Sequence, residues 1–298
     1  TTAASGVLNL NTGVSATPDA LFQIGSITKV LTTSLVMQLV NEGRVELDKP
    51  IRHYMPDFLV ADEAASAEIT VAQLLNHTNG IDGDFFPDDE GHTGNLIARY
   101  VDRCSALPLV HPVGERFCYS NAAFVVAGRL VEVLRGVTWA QAVKQFIFEP
   151  LGLDHSIADP KEMIRFRAAM GHVYGEGKHS QQWQLPERAY WSLGQAPAGT
   201  GVAMSAKDLI TFAQAHLSGG LSVDGKSWLS SQSIQAMQSP TCDWPLQSQL
   251  KKNSVGLGWM ISDYHQPQRR IIYHGGATMG FLSFLHVLPE KNAAMAVL

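Results

Sequence analysis

The sequence predicts an α/β (α+β) fold, an antiparallel sheet flanked by helices together with a mainly helical lobe. Three observations predict it. Apolar residues at Ile27, Val30, Leu31, Leu35 and Leu39 keep helical spacing near the start of the chain. Helix-start signatures, a Ser or Thr three residues before an acceptor, recur through the middle at Thr70-x-x-Gln73, Thr138-x-x-Gln141 and Ser205-x-x-Asp208. Strand-like runs gather late, at 256–261, 270–273, 281–288 and 293–298, with gaps that suit antiparallel turns. The expected organisation is an α/β lobe from 1–49 and 251–298 and a helical lobe from 50–250, with a cleft between them as the site.

The first helix is expected to open near Ser26 and run to Glu42, with Gly43 as its stop. Residues three apart share a helix face, so the Lys29 side chain reaches the Ser26 hydroxyl, and the helix macrodipole favours negative charge developing there. A serine hydroxyl is a weak nucleophile until a base lies within hydrogen-bond reach. Taken alone, Ser26 reads more readily as a helix cap followed by an exposed lysine, and the other motifs reverse that reading. A second match, Ser248-Gln249-Leu250-Lys251, lies in a polar run without helical spacing and is expected to be a solvated loop.

Tyr119-Ser120-Asn121 is the only Tyr-x-Asn in the chain and precedes a helical stretch over 122–134 closed by Gly136. A phenol in a turn before a helix points into a cleft, and a nearby cation makes its phenolate more accessible, so Tyr119 can exchange protons with Ser26 and a leaving group. The plainer reading is a half-buried aromatic, with Asn121 as an ordinary cap.

His274-Gly275-Gly276 follows the β-branched and aromatic run Arg270-Ile271-Ile272-Tyr273, which reads as a strand. Two glycines offer a strand no packing, and they make sense where a substrate backbone lies close. Backbone N–H groups there, that of Ala277 above all, can join the Ser26 N–H as an oxyanion hole. The competing reading of His274 is a strand-end histidine with a satisfied ring. His92-Thr93-Gly94 also fits His-x-Gly, but it follows an acidic stretch ahead of Tyr119 and is set aside.

The ordered set Ser26-Ile27-Thr28-Lys29, Tyr119-Ser120-Asn121 and His274-Gly275-Gly276 resembles the serine β-lactamase and penicillin-binding-protein superfamily. The Tyr-x-Asn form resembles its class C β-lactamase-like branch, which includes carboxylesterases and D-amino-acid peptidases. The stretches Leu74-Leu75-Asn76-His77-Thr78-Asn79-Gly80, Pro150-Leu151-Gly152-Leu153 and Ala198-Gly199-Thr200-Gly201 are similar to that branch too, so the resemblance covers nearly the whole chain. It implies a β-lactamase/transpeptidase-like fold and two acyl-transfer steps. Ser26 attacks a carbonyl while Lys29 and Tyr119 relay its proton. The N–H groups of Ser26 and Ala277 hold the oxyanion. Tyr119, assisted by His274, then activates water. Asn121 bonds the acyl part of the substrate and helps fix Lys29. Which of Lys29 and Tyr119 is the base stays open, because coupled groups titrate as a pair.

The chain departs from the family at its third motif, where Lys-Thr-Gly is replaced by His274-Gly275-Gly276. The fixed ammonium and the hydroxyl that hold a substrate carboxylate are both lost. By resemblance, the variant favours a carboxylesterase or D-amino-acid peptidase over penicillin or D-Ala-D-Ala recognition. The alternative is a penicillin-binding or sensor-type protein that is acylated without turnover.

Bulk properties bound the rest. A net charge of -5 and the lack of a basic run argue against nucleic acid as a partner, and no apolar stretch is long enough to span a membrane. Gly-x-Ser-x-Gly, His-Glu-x-x-His, Walker and Gly-x-Gly-x-x-Gly motifs are absent and the histidines are scattered, so no cofactor or metal is implied. The expected partner is a small-molecule or short peptide substrate, with oligomeric state open. Three cysteines, Cys104, Cys118 and Cys242, cannot all pair, which points weakly to a reducing compartment, and Cys118 is expected to be inert. No signal peptide is visible, leaving a soluble cytoplasmic or an exported, processed protein as the expectations. The run 293–298 reads as a strand with nothing after it and 6–10 as the remnant of a strand pair, so terminal pieces are expected to be missing. The irregular stretch 171–201 carries Trp183, Tyr190 and Trp191 and is expected to form an aromatic lip over the acyl pocket.

Overall fold

A computed structural model describes residues 1–87, 94–175, 182–244, 251–264 and 269–298. His92 and Thr93 of the rejected His-x-Gly match, and Ser248 to Leu250 of the second Ser-x-x-Lys match, lie outside the described residues.

The elements run β1 (Phe22–Gln23), α1 (Thr28–Asn41), α2 (Glu63–Glu68), α3 (Val71–Leu75), α4 (Leu96–Arg103), α5 (Asn121–Arg135), α6 (Trp139–Val143), α7 (Glu149–Leu151), β2 (Ser156–Ile157), β3 (Val173–Tyr174), β4 (Trp183–Gln184) and β5 (Ala203–Met204). They continue with α8 (Ala206–Leu217), α9 (Ser231–Met237), β6 (Cys242–Asp243), β7 (Lys251–Val255), β8 (Met260–Tyr264), β9 (Arg270–Thr278), β10 (Phe281–Leu288) and β11 (Ala293–Val297). The main sheet has the order β11-β10-β9-β8-β7-β6 and is antiparallel throughout. The fold class is the predicted mixed α/β one.

α1 is the axis of the core. Its residues from Thr28 to Leu39 are all buried, because α5, α6 and α9 surround it. A 3-10 turn, Gly25–Ile27, leads into it, so Ser26 precedes the α-helical hydrogen-bond ladder by one turn. Gly43 ends it at φ 69°. Thr70 and Thr138 make full capping boxes with Gln73 and Gln141, yet α3 and α6 are only one turn or so long; a π-turn over Lys144–Phe148 carries α6 into α7. Ser205 caps α8, whereas the Asp208 carboxylate turns outward to accept from the His155 N–H (2.7 Å) and the Ser156 hydroxyl (2.9 Å). α8 packs on β10 and β11.

Four sequence readings shift. The strand expected at 256–261 begins at Met260, because Gly256 and Gly258 form the turn before it and Gly258 presses on Thr33 and the Lys29 carbonyl. β9 runs on through His274, Gly275 and Gly276 to Thr278, so His274 is interior to a strand. The segment 6–10 makes an isolated bridge, Val7 with Ser15. β7, whose first residue is Lys251 of the second Ser-x-x-Lys match, is a strand where a loop was expected.

Candidate active site

β8 stops pairing with β9 at Met260–Tyr273, so beyond Tyr273 no strand among the described residues lies along that edge of β9. On the other side Thr278 and Phe281 close a two-residue turn, and antiparallel pairs alternate between bonded and non-bonded. Gly275 and Ala277 therefore direct their backbone groups away from β10, toward the open edge. The 3-10 turn carrying Ser26 packs there.

Close approach explains one of the two motif glycines. A β-carbon on Gly276 would lie 2.0 Å from the Ile24 carbonyl oxygen and 2.4 Å from Ser283 Oγ, which itself donates to that carbonyl at 2.7 Å. The backbone that presses on Gly276 belongs to the protein rather than to a substrate. On Gly275 the nearest atom would be Phe284 at 3.8 Å, so the protein leaves that position room. Methyl groups on Gly25 and Gly199 would lie 2.6 Å from the Ala277 nitrogen and 2.9 Å from the Ser26 nitrogen. The backbone before Ser26 thus touches that of Ala277, and the backbone at Gly199 touches that of Ser26.

Lys29 is fully buried on α1 and its Nζ has three partners: Ser26 Oγ at 3.1 Å, Asn121 Oδ1 at 2.7 Å and the Ala198 carbonyl at 2.5 Å. Burial lowers its pKa well below the ordinary lysine value. The chemical consequence is specific. Nζ donates to two carbonyl oxygens and to the Ser26 hydroxyl, and in the neutral form, with two N–H donors and one lone pair, the amine can keep both carbonyl bonds and turn its lone pair to that hydroxyl.

Ser120 caps α5 by accepting from the Ala123 N–H, so Asn121 is the first helical residue rather than the cap, free to present its amide to Lys29. Tyr119 precedes it, hydrogen-bonded to the Ser26 side chain, with Lys29 Nζ 4.8 Å from its ring centroid. Burial pushes the Tyr119 phenol above its usual range, partly offset by the bond to Ser26. Desolvation dominates, so the phenolate is less accessible than the sequence suggested.

His274 is buried, its ring centroid 6.3 Å from that of Tyr119. Burial and the nearby Lys29 lower its pKa to about 3, so the ring is neutral at ordinary pH. Its Nδ1 lies 2.6 Å from the Gly275 carbonyl, while Nε2 has no partner among the described residues. The ring is thus half satisfied.

Three contributors carry no role in the sequence analysis. Gly25, at φ 52°, allows the turn to touch β9. The Ala198 carbonyl comes from the Ala198-Gly199-Thr200-Gly201 stretch. His77 stacks on Tyr119, with centroids 4.4 Å apart and planes 27° apart. Of the proposed lip, Trp191 pairs with Phe86 at 6.0 Å, and Trp183, Tyr190 and Trp191 are exposed. Cys104, Cys118 and Cys242 are free thiols, and burial raises the pKa of each, that of Cys104 to about 12, which makes none of them a ready nucleophile. Among the described residues no cluster of His, Cys, Asp and Glu is arranged to hold a metal, and no helix is long and apolar enough to cross a membrane.

The family described as Beta-lactamase matches residues 1–298. The chain is 35% identical over 298 residues to a protein named penicillin-binding protein 4 from Amycolatopsis lactamdurans, covering 99% of this chain and 76% of that one. The structure of an octameric penicillin-binding protein homologue from Pyrococcus abyssi superposes with a TM-score of 0.80 at 24% identity, over 98% of this chain and 64% of that one. This chain thus spans less than two thirds of that protein. The D-amino acid amidase from Ochrobactrum anthropi SV3 matches at a TM-score of 0.79 and 23% identity, over 98% of this chain and 80% of that one. With a family match running the full length and a relative above one-third identity, the chain belongs to the serine β-lactamase and penicillin-binding-protein superfamily of hydrolases.

Proposed function

We propose that the protein hydrolyses esters or amides through a covalent acyl-enzyme on Ser26. One observation carries the reading: a buried lysine with no carboxylate partner among the described residues holds two carbonyl acceptors and the Ser26 hydroxyl at once. In acylation, Ser26 Oγ bonds to the substrate carbonyl carbon as its proton passes to Lys29 Nζ. The N–H groups of Ser26 and Ala277 take the oxyanion. The bond to the leaving group breaks as Tyr119 gives it a proton, and Tyr119 is reprotonated from Lys29. In deacylation water attacks the ester carbon and its proton passes through Tyr119 to Ser26 Oγ as the acyl–Oγ bond breaks, releasing the acid, with His274 nearby. Asn121 and the open edge at Gly275 and Ala277 hold the acyl chain.

Lys29 is favoured over Tyr119 as the base, because burial lowers the pKa of the amine and raises that of the phenol. His274, neutral at ordinary pH, supplies no charge for a substrate carboxylate, which supports a carboxylesterase or a D-amino-acid amidase or peptidase over a β-lactamase. The similarity to a D-amino acid amidase points the same way. The division into an α/β lobe of 1–49 with 251–298 and a helical lobe of 50–250 remains part of the proposal.

Steady-state assays with p-nitrophenyl acetate, D-phenylalanine amide and benzylpenicillin test the reading. Sustained turnover of the ester or amide exceeding that of penicillin supports it. Release of one equivalent followed by arrest supports the acylated sensor instead.

A further inference from the structure

His77 is a buried member of the cluster that no step of the reaction uses. It sits in the turn after α3 at φ 62°, one of two non-glycine residues with positive φ among those described. A side chain held in that region costs on the order of 1 kcal/mol and persists only where its surroundings enforce it. They do so here: Asn76 Oδ1 accepts from the Thr78 N–H (3.2 Å) and hydroxyl (2.7 Å), and Asn79 Oδ1 accepts from the Ile81 N–H (2.9 Å).

The turn brings both hydrogen-bonding ends of His77 to the segment carrying Tyr119. Its carbonyl accepts from the Cys118 N–H at 2.8 Å and its ring Nδ1 from the Ser120 N–H at 3.0 Å. The amides on either side of Tyr119 are thus both fixed by one residue. Its ring covers the Tyr119 ring and lies 5.1 Å from that of Phe124, and Lys29 Nζ rests 4.8 Å and 5.6 Å from those two rings. We propose that His77 is a positioning residue that fixes the Tyr119 phenol against Ser26 and keeps water from the Lys29 amine.

This inference rests on Ser26, Lys29 and Tyr119 being the reacting groups. An Nδ1 that accepts a hydrogen bond carries no proton, so the ring is neutral, and burial beside Lys29 and His274 keeps it so. Among the described residues, the titratable groups facing Lys29 are Tyr119, His77 and His274, and no carboxylate contributes to the shift of any of the four. The segment 193–198 offers only the Ala198 carbonyl, and α6 and α9 carry no charged residue. On α5, Glu132 is engaged with Arg129 and Asn95, and Arg135 with Glu42.

The test compares native protein, His77→Ala, His77→Asn and Ser26→Ala on p-nitrophenyl acetate across pH, with melting temperatures and acylated protein counted by intact mass. Asparagine tolerates the left-handed region and places Oδ1 where Nδ1 stood. In His77→Ala, kcat per acylatable site should fall about 30-fold or more with KM nearly constant, as expected when proton transfer loses its alignment. The acidic limb of kcat/KM should move up by about one unit as water reaches Lys29. His77→Asn should recover the melting temperature and about tenfold of the kcat, yet keep the shifted limb. A limb and a kcat per site that stay native in both variants overturn the proposal, even where melting temperatures drop; if His77→Ala does not fold, His77→Asn decides. Full activity in Ser26→Ala instead removes the reading of the reacting groups.

Discussion

A methyl group on Gly25 would lie 2.6 Å from the backbone nitrogen of Ala277. The turn that presents Ser26 and the strand edge that presents Ala277 touch through bare backbone, and φ 52° at Gly25 makes that contact possible. Gly25→Ala should therefore push the two amides apart. We expect kcat on p-nitrophenyl acetate to fall about 100-fold or more, the scale of losing one oxyanion donor. Unfolding free energy should drop by only about 1–3 kcal/mol, the cost of the strained residue. Kinetics and chemical denaturation together check both halves.

Asn121 accepts from Lys29 at 2.7 Å, so Asn121→Asp sets a carboxylate beside the amine. Lys29 works as a base only when neutral, and its activity is lost as pH falls through its lowered pKa. A carboxylate partner favours the ammonium, raising that pKa, so the acidic limb of kcat/KM should move up by about one unit or more. A pH–rate profile with an unmoved limb contradicts Lys29 as the base.

Tyr119→Phe keeps the stack on His77 and removes the hydroxyl bonded to Ser26. The melting temperature should stay within a few degrees of native while kcat falls by about 10²–10⁴-fold, the range for losing a positioned proton donor. An unimpaired ester rate in this variant, measured at saturating substrate, excludes the phenol from proton relay.

Away from the site, His216 is buried among Phe212, Trp228 and Trp259, and burial lowers its pKa from 6.5 to about 3. Below pH 6.5 the unfolded chain binds a proton that the folded chain refuses, so stability falls as pH drops from 6.5 toward 3 and is complete above 6.5. His216→Phe removes that penalty. Its stability relative to native should improve by about 2 kcal/mol between pH 7.5 and pH 5, as urea unfolding at the two pH values would show. His77 and His274 are common to both proteins and cancel.

The sequence disclosed most where chemistry follows local spacing. Ser26 and Lys29 are three residues apart in a helical context, which fixes their approach whatever the rest of the fold does. The strand from Phe281 to Leu288 was bounded correctly, because its inward residues alternate cleanly with outward ones. β7 escaped notice because its cross-strand pairing is polar: Ser262 donates to Asn253 at 2.6 Å where an apolar pair would have left a pattern. The Ala198 carbonyl has no side chain to betray it. His77 stood in a noted motif, but its partner amide at Ser120 is 43 residues away, a distance that no periodicity encodes. Gly276 was flagged for a substrate's approach and is held instead by the Ile24 carbonyl, a contact made only in the assembled fold.

Intact-mass analysis of native protein and Ser26→Ala after brief exposure to p-nitrophenyl acetate, with fragmentation to locate the modified residue, tests the central claim most directly. The account predicts a single acetyl group on Ser26 that decays as turnover resumes, with none on the variant. Acetylation elsewhere, or equal p-nitrophenol release by both proteins, would contradict it.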